Sequence, residues 1–144
     1  MKAAALGLVL QGAWVGFVVA NALNARLKFD APTLTRDAAL DVGRHVFPVV
    51  LRVELVLALA VTALAVWASG WTGRRTLLAA LAFATVLVQL FVLLPDLAER
   101  AAAVIAGGEP PASRAHLAYV VAEGLKLVVI GALVASTLGC LRPR

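Results

Sequence analysis

The 144-residue chain has one cysteine, Cys140, one tyrosine, Tyr119, and two histidines, His45 and His116. A lone cysteine excludes an internal disulfide and any zinc site built on paired cysteines. Acidic residues number 8 against 13 lysines and arginines, for a formal charge of +5. That balance does not indicate nucleic acid. The basic residues stand at the ends of apolar runs and in loops, rather than along one polar face with aromatics between them. The sequence also lacks GxSxG, HExxH, a glycine-rich phosphate loop and an acid-rich metal loop, the patterns that place a nucleophile, a zinc ion or a nucleotide. A His–Glu pair could move protons, but no residue stands out as a reactive nucleophile, so a non-enzymatic protein is expected.

What remains is apolar. Hydrophobic residues make up 62% of the chain, and the mean hydropathy is +0.96. A soluble domain of this size cannot bury that share of its side chains. The composition therefore predicts one membrane domain, residues 1–144, with all-α architecture: an integral membrane four-helix bundle running up-down-up-down. The spans are expected at about 3–23, 46–69, 76–94 and 116–138, each long enough for the roughly 20 apolar residues a bilayer requires. Helices two and three should extend beyond the bilayer on the outer side.

Local signals place the elements. Lys2, an apolar run and Ala20-Asn21-Ala22 resemble a signal peptide. The run is long for that role and is interrupted by Gln11 and Trp14, so a retained first span is expected. Gly12 and Gly16 form a GxxxG spacing that lets helix backbones approach closely, here read as packing against another helix of the same chain. Thr35 ahead of Arg36 and Asp37 reads as an N-cap, with Pro48 set to kink the helix that follows. The short SGWTGRR connection makes spans two and three antiparallel neighbours, bracketed by Trp67 and Trp71 as interfacial aromatics. After Pro95, DLAERAAAVIA reads as a helical continuation that GGEPP at 107–111 ends. Ser113 or a neighbour opens the fourth helix.

An even number of spans puts both termini and the short turn on one side. That side carries Lys2, Arg74, Arg75, Arg142 and Arg144 close to the span ends. Positive-charge density there predicts cytoplasmic termini, with a bacterial inner membrane as the location.

The fourth span, HLAYVVAEGLKLVVIGALVASTL, carries ionisable groups in its first half. His116, Tyr119, Glu123 and Lys126 fall on one stripe at helical spacing. Span two carries Arg52 and Glu54 at similar depth, and Gln89 lies near the end of span three. Charges at that depth cost about 2.5–3.5 kcal/mol each on insertion scales, so they usually face protein or a wet cavity. The predicted pairing is Arg52 with Glu123, then Glu54 with Lys126, which makes spans two and four direct neighbours. A faint internal repeat, with His45 superimposed on His116, would make Arg52 and Glu123 equivalent positions. The candidate ligand-binding set is Arg52, Glu54, Gln89, His116, Tyr119, Glu123 and Lys126. His45, His116 and Glu123 could form a minimal copper or zinc site. Bis-histidine haem would need both rings facing each other inside the bundle, whereas these sit at its mouth, so no cofactor is expected.

QGAWVGFVV in the first span, TRDAALDVGRHVFPVV entering the second, LLPDLAERA after the third and SRAHLAYVVAEGLKL entering the fourth resemble the membrane family named for transmembrane protein 205. Gly12, Ala13, Trp14, Phe47, Pro48, Pro95 and His116 carry the likeness. The resemblance implies a four-span bundle and no established activity. The eukaryotic namesake is associated with resistance to platinum drugs. This chain lacks a cysteine-rich fourth helix, so soft-metal binding is not carried over.

These readings converge on an accessory or structural subunit of a membrane assembly. Its partners would be the lipid bilayer and other membrane subunits or further copies of itself, with no nucleic acid. The alternative is a small carrier or binding protein for a polar or metal ligand, in an outer-half cavity lined by helices two and four.

Overall fold

The computed structural model describes residues 2–69 and 73–141. Trp71, Arg142 and Arg144, used above for the aromatic belt and the charge asymmetry, lie outside those residues. The described chain is helical throughout: α1 (Lys2–Leu27), α2 (Arg36–Ser69), α3 (Arg74–Val88), a π-helical turn (Gln89–Leu93), α4 (Leu94–Ile105) and α5 (Ala115–Gly139). Four helical stretches are long and apolar enough to cross a membrane, with α3 running through the π-turn into α4 as one of them. At 1.5 Å per residue the 34-residue α2 is about 51 Å long, well beyond the roughly 30 Å hydrocarbon core. Lipid would therefore cover only part of it.

The capping chemistry explains the boundaries. The Thr35 hydroxyl accepts from the amide of Ala38 at 3.2 Å, and Asp37 occupies the positive first turn of α2. Pro48 is held inside α2, which stays helical on both sides of it. α4 ends in a Schellman motif. Gly107 takes φ +80°, its amide donates to the Val104 carbonyl, and the Gly108 amide donates to that of Ala103, both at 2.9 Å. Only glycine adopts that left-handed turn without a steric cost. The Ser113 hydroxyl then accepts from the amide of Ala115 at 3.0 Å as α5 begins.

The π-turn has a local cause that no sequence signal announced. Pro95 has no amide hydrogen, and its ring would crowd the carbonyl of residue 91 in a regular α-helix. The chain widens just before it, and the Leu94 amide donates five residues back to the Gln89 carbonyl.

The helices pack as a ring. α1 adjoins α2, α2 adjoins α3, α3 adjoins α5, and α5 closes back on α1. Among the described residues, α2 and α5 bring no pair of Cα atoms within 8 Å, so they stand on a diagonal. This corrects the expectation that spans two and four are direct neighbours. Small residues let the adjacent helices approach: Ala58 of α2 and Ala79 and Ala82 of α3 are completely buried. By contrast, Gly12 and Gly16 are exposed on α1, and a Cβ added at either would meet nothing within 4 Å. The GxxxG pair therefore does not pack against another helix of this chain. Gly7, Gln11, Trp14 and Val18 form the inward stripe of α1 instead.

Two apolar cores fill the ring. The larger, around Trp14, Val61, Ala82, Val86, Ile130 and Leu133, occupies the half nearer the termini. The smaller joins Leu51, Leu94 and Tyr119 in the half nearer the long loops. A polar layer lies between them.

Candidate functional site

Each side of the ring contributes to that layer. Trp14 comes from α1, Glu54 from α2, Gln89 from the π-turn, and Glu123 and Lys126 from α5 one helical turn apart. Trp14, Glu54, Gln89 and Lys126 are all 0% exposed. The Lys126 ammonium forms an ion pair with Glu54 Oε2, lies 3.0 Å from Glu123 Oε2 and donates to Gln89 Oε1 at 3.0 Å. Gln89 Nε2 donates in turn to Glu123 Oε1 at 3.1 Å. The Trp14 indole donates to Glu54 Oε2 at 3.1 Å. Lysine's length is what lets this work. Its four-carbon stem spans the diagonal that the backbones of α2 and α5 leave open, while glutamine acts as donor and acceptor at once.

The charge count is uneven. Two carboxylates face one ammonium, Glu54 Oε1 is buried without a hydrogen-bond partner, and Tyr119 Oη is buried without a hydrogen bond of good geometry. Both carboxylates lie in the electrostatic surroundings of that phenol. Burying ionic groups is costly unless every charge is compensated, so this layer has room for one further positive charge.

Glu123 is the member of the layer that reaches a cavity. Its side chain is 15% exposed and lines a space of about 390 Å³ between α1 and α5 at the long-loop end. Asn21, Ala25, Phe29, Phe47, His116 and Tyr119 form much of the remaining wall. Phe47 and Tyr119 meet edge to face, with ring centroids 5.9 Å apart. A second, smaller cavity of about 160 Å³ shares Ala25, Phe29, Phe47 and His116 and adds Lys28, Gly43 and Arg44, so a larger side chain at 25 would intrude on both. There the Lys28 ammonium sits 5.1 Å from the centroids of both the Phe29 and Phe47 rings. Burial holds the Lys28 pKa below the ordinary lysine value, since desolvation disfavours the charged form.

The stripe read from α5 faces inward as expected: Tyr119 and Lys126 are buried, Glu123 is half-buried, and His116 stands at the cavity mouth. Glu54 does meet Lys126. Arg52 does not meet Glu123; it is exposed on the outer face of α2, so that pairing is corrected, and positions 52 and 123 face opposite ways. Gln89 belongs to the buried layer rather than to a cavity wall. The cavity is lined mainly by α1 and α5, with Phe47 from α2, so the expected lining by helices two and four holds for the fourth span and is corrected for the second, whose place is taken largely by the first. His45 is also exposed, 2.9 Å from the backbone carbonyl of Asp41 in its own helix, and lines neither cavity. The set His45, His116 and Glu123 is therefore not assembled, and among the described residues no three His, Cys, Asp or Glu side chains are placed to hold a metal ion.

Sequence reasoning missed Trp14 as a donor and Thr137 as a partner. Gln11 Nε2 donates to Thr137 Oγ1 at 3.3 Å, a second polar tie between α1 and α5 near the termini. A usable signal existed for the first: Gln11, Trp14 and Val18 share one helical stripe, which marks the inward face of α1. No protein-family model, no curated protein and no solved structure matches this chain.

Proposed function

We propose that this non-enzymatic, multi-pass membrane protein binds a small organic ligand in the cavity between α1 and α5, as a binding protein or small carrier. One observation carries the reading: Glu123 belongs to a buried layer with one carboxylate more than it has cations, and it alone of that layer opens onto the cavity. A volume of about 390 Å³ falls within the roughly 300–1,000 Å³ range of small-ligand sites, which are mostly apolar with a few placed polar groups. Cytoplasmic termini in a bacterial inner membrane would put the cavity on the outer side, and the likeness to the family of transmembrane protein 205 fits a four-span architecture without assigning a ligand.

The second reading is an accessory subunit of a membrane assembly. It is favoured by the open face at Gly12 and Gly16, where a neighbouring helix could approach the backbone closely.

Native mass spectrometry of the protein extracted in mild detergent separates the two. A small molecule retained by the wild type and lost in Ala25→Leu, which fills the cavity, supports binding. A stoichiometric protein partner with no small molecule, released by Gly12→Leu, supports the subunit reading.

A further inference from the structure

We propose that the ligand is a lipophilic organic cation and that it exchanges with a proton at the Glu54–Glu123–Lys126 layer. This rests on the binding reading above and adds the charge of the ligand and the means of its release.

The cavity walls supply the chemistry. Phe29, Phe47 and Tyr119 contribute aromatic rings to the wall, beside Asn21, Arg26 and His116, with the Glu123 carboxylate at one side. Aromatic faces and a carboxylate together select a cation with an apolar body. Two fixed cations stand near these walls and count against a cationic ligand, so the selection rests on the Glu123 carboxylate. Arg26, at the rim, lies 3.7 Å from Asp30 and is largely exposed. Lys28 lines the adjoining cavity and already holds its ammonium 5.1 Å from the Phe29 and Phe47 ring centroids, so Tyr119 is the ring left to face a ligand cation.

Charge balance supplies the coupling. Glu54 from α2 and Glu123 from α5 share Lys126 as their one cation, Gln89 from the π-turn is neutral, and His116 stands at the cavity mouth. Two carboxylates and one ammonium become neutral on gaining a single positive charge. When the cavity is empty that charge is a proton on a carboxyl oxygen. When an organic cation enters, the O–H bond breaks, the proton leaves through the cavity to water, and the ligand's charge takes its place. No bond to the ligand forms. Holding both positive charges, or neither, would leave net charge buried, which is costly, so the two compete for one place.

Tetraphenylphosphonium and its anionic isostere tetraphenylborate test the charge directly, by calorimetry on the purified protein in maltoside detergent. The phosphonium should bind and release close to one proton per site, read from the dependence of the heat on buffer ionisation. Raising the pH should tighten its binding. Glu123→Gln should weaken it more than about thirtyfold and abolish proton release, while Glu123→Asp retains both; thermal unfolding establishes that each variant is folded. A free solute cation and the quaternary ammonium head group of a zwitterionic lipid share this chemistry. Binding that persists in phosphatidylcholine nanodiscs identifies the solute, and binding suppressed there identifies the head group. Equal binding of the borate, lost in Ala25→Leu, would leave the cavity reading standing and overturn the cation assignment. Phosphonium binding without proton release overturns the exchange. Binding of neither probe overturns this proposal, and retention of another molecule by the wild type but not Ala25→Leu would still uphold the cavity reading.

Discussion

Lys126 and Glu54 form an ion pair across the bundle although the backbones of their helices never come within 8 Å, Cα to Cα, among the described residues. The pair is thus a bridge over the diagonal of a four-helix ring, with Trp14 and Gln89 closing in from the other two sides. Apolar side chains reaching the same point would fill the space, but they would not tie four helices to one depth. Hydrogen bonds and ion pairs have a length and a direction, so this layer fixes the register of all four at once.

Replacing Lys126 by Met should be the most damaging single change in the layer. It leaves the layer's remaining carboxylate charge buried without its ammonium, at a cost of about 3–5 kcal/mol. Thermal unfolding in detergent should show a large drop, and adding Glu54→Gln to the same chain should recover part of it. Additive losses in that double-mutant cycle would show that the two side chains do not interact.

Trp14→Phe keeps an aromatic ring in the core and removes only the indole donor and some volume. Hydrogen bonds to charged groups contribute about 1.5–3 kcal/mol, so a loss of at least about 1.5 kcal/mol is expected. It should shrink when Glu54 is already Gln. An unchanged melting temperature in Trp14→Phe would mean the indole N–H does not hold the carboxylate.

Arg52→Ala should not lower stability, since Arg52 is exposed without a side-chain partner among the described residues and an outward-facing charge at that depth is itself costly in a bilayer. Run alongside Lys126→Met, it distinguishes the observed pairing from the Arg52–Glu123 alternative. Comparable damage from both variants would restore that alternative.

Burial of Lys28 should give the fold a pH dependence. Its pKa in the folded state is lowered from 10.5 by burial. Between that lowered value and 10.5 the unfolded chain binds more protons than the folded one. Stability therefore rises with pH across this window and levels off above it. Melting curves taken from neutral to alkaline pH should show the rise, and Lys28→Met should flatten it. A slope that survives the substitution would assign it to another group.

Much of the architecture was legible in the residues because its causes are local. Apolar runs set the spans, Thr35 and Asp37 start α2, and Gly107 with Gly108 stops α4 through bonds made within a few residues. The inward stripe of α5 was readable too, since His116, Tyr119, Glu123 and Lys126 recur at helical spacing on a background with no other charge. The exchange of partners on α2 was not readable. Arg52 and Glu54 are two residues apart and so point about 200° away from each other on a helix. Which one enters the bundle depends on how α2 is rotated about its axis. The residues around both are apolar on every side, so no local pattern reports that rotation.

The sequence by itself determined four apolar helices, their ends, and the presence of charge in the second and fourth. Tertiary structure alone decided that Glu54 turns inward and Arg52 outward, that Gly12 and Gly16 face out while Trp14 faces in, and that the cavity opens between α1 and α5. The physical reason is that helix formation is settled by neighbours along the chain. The rotation and ring order of helices are settled by which side chains can satisfy one another at the centre.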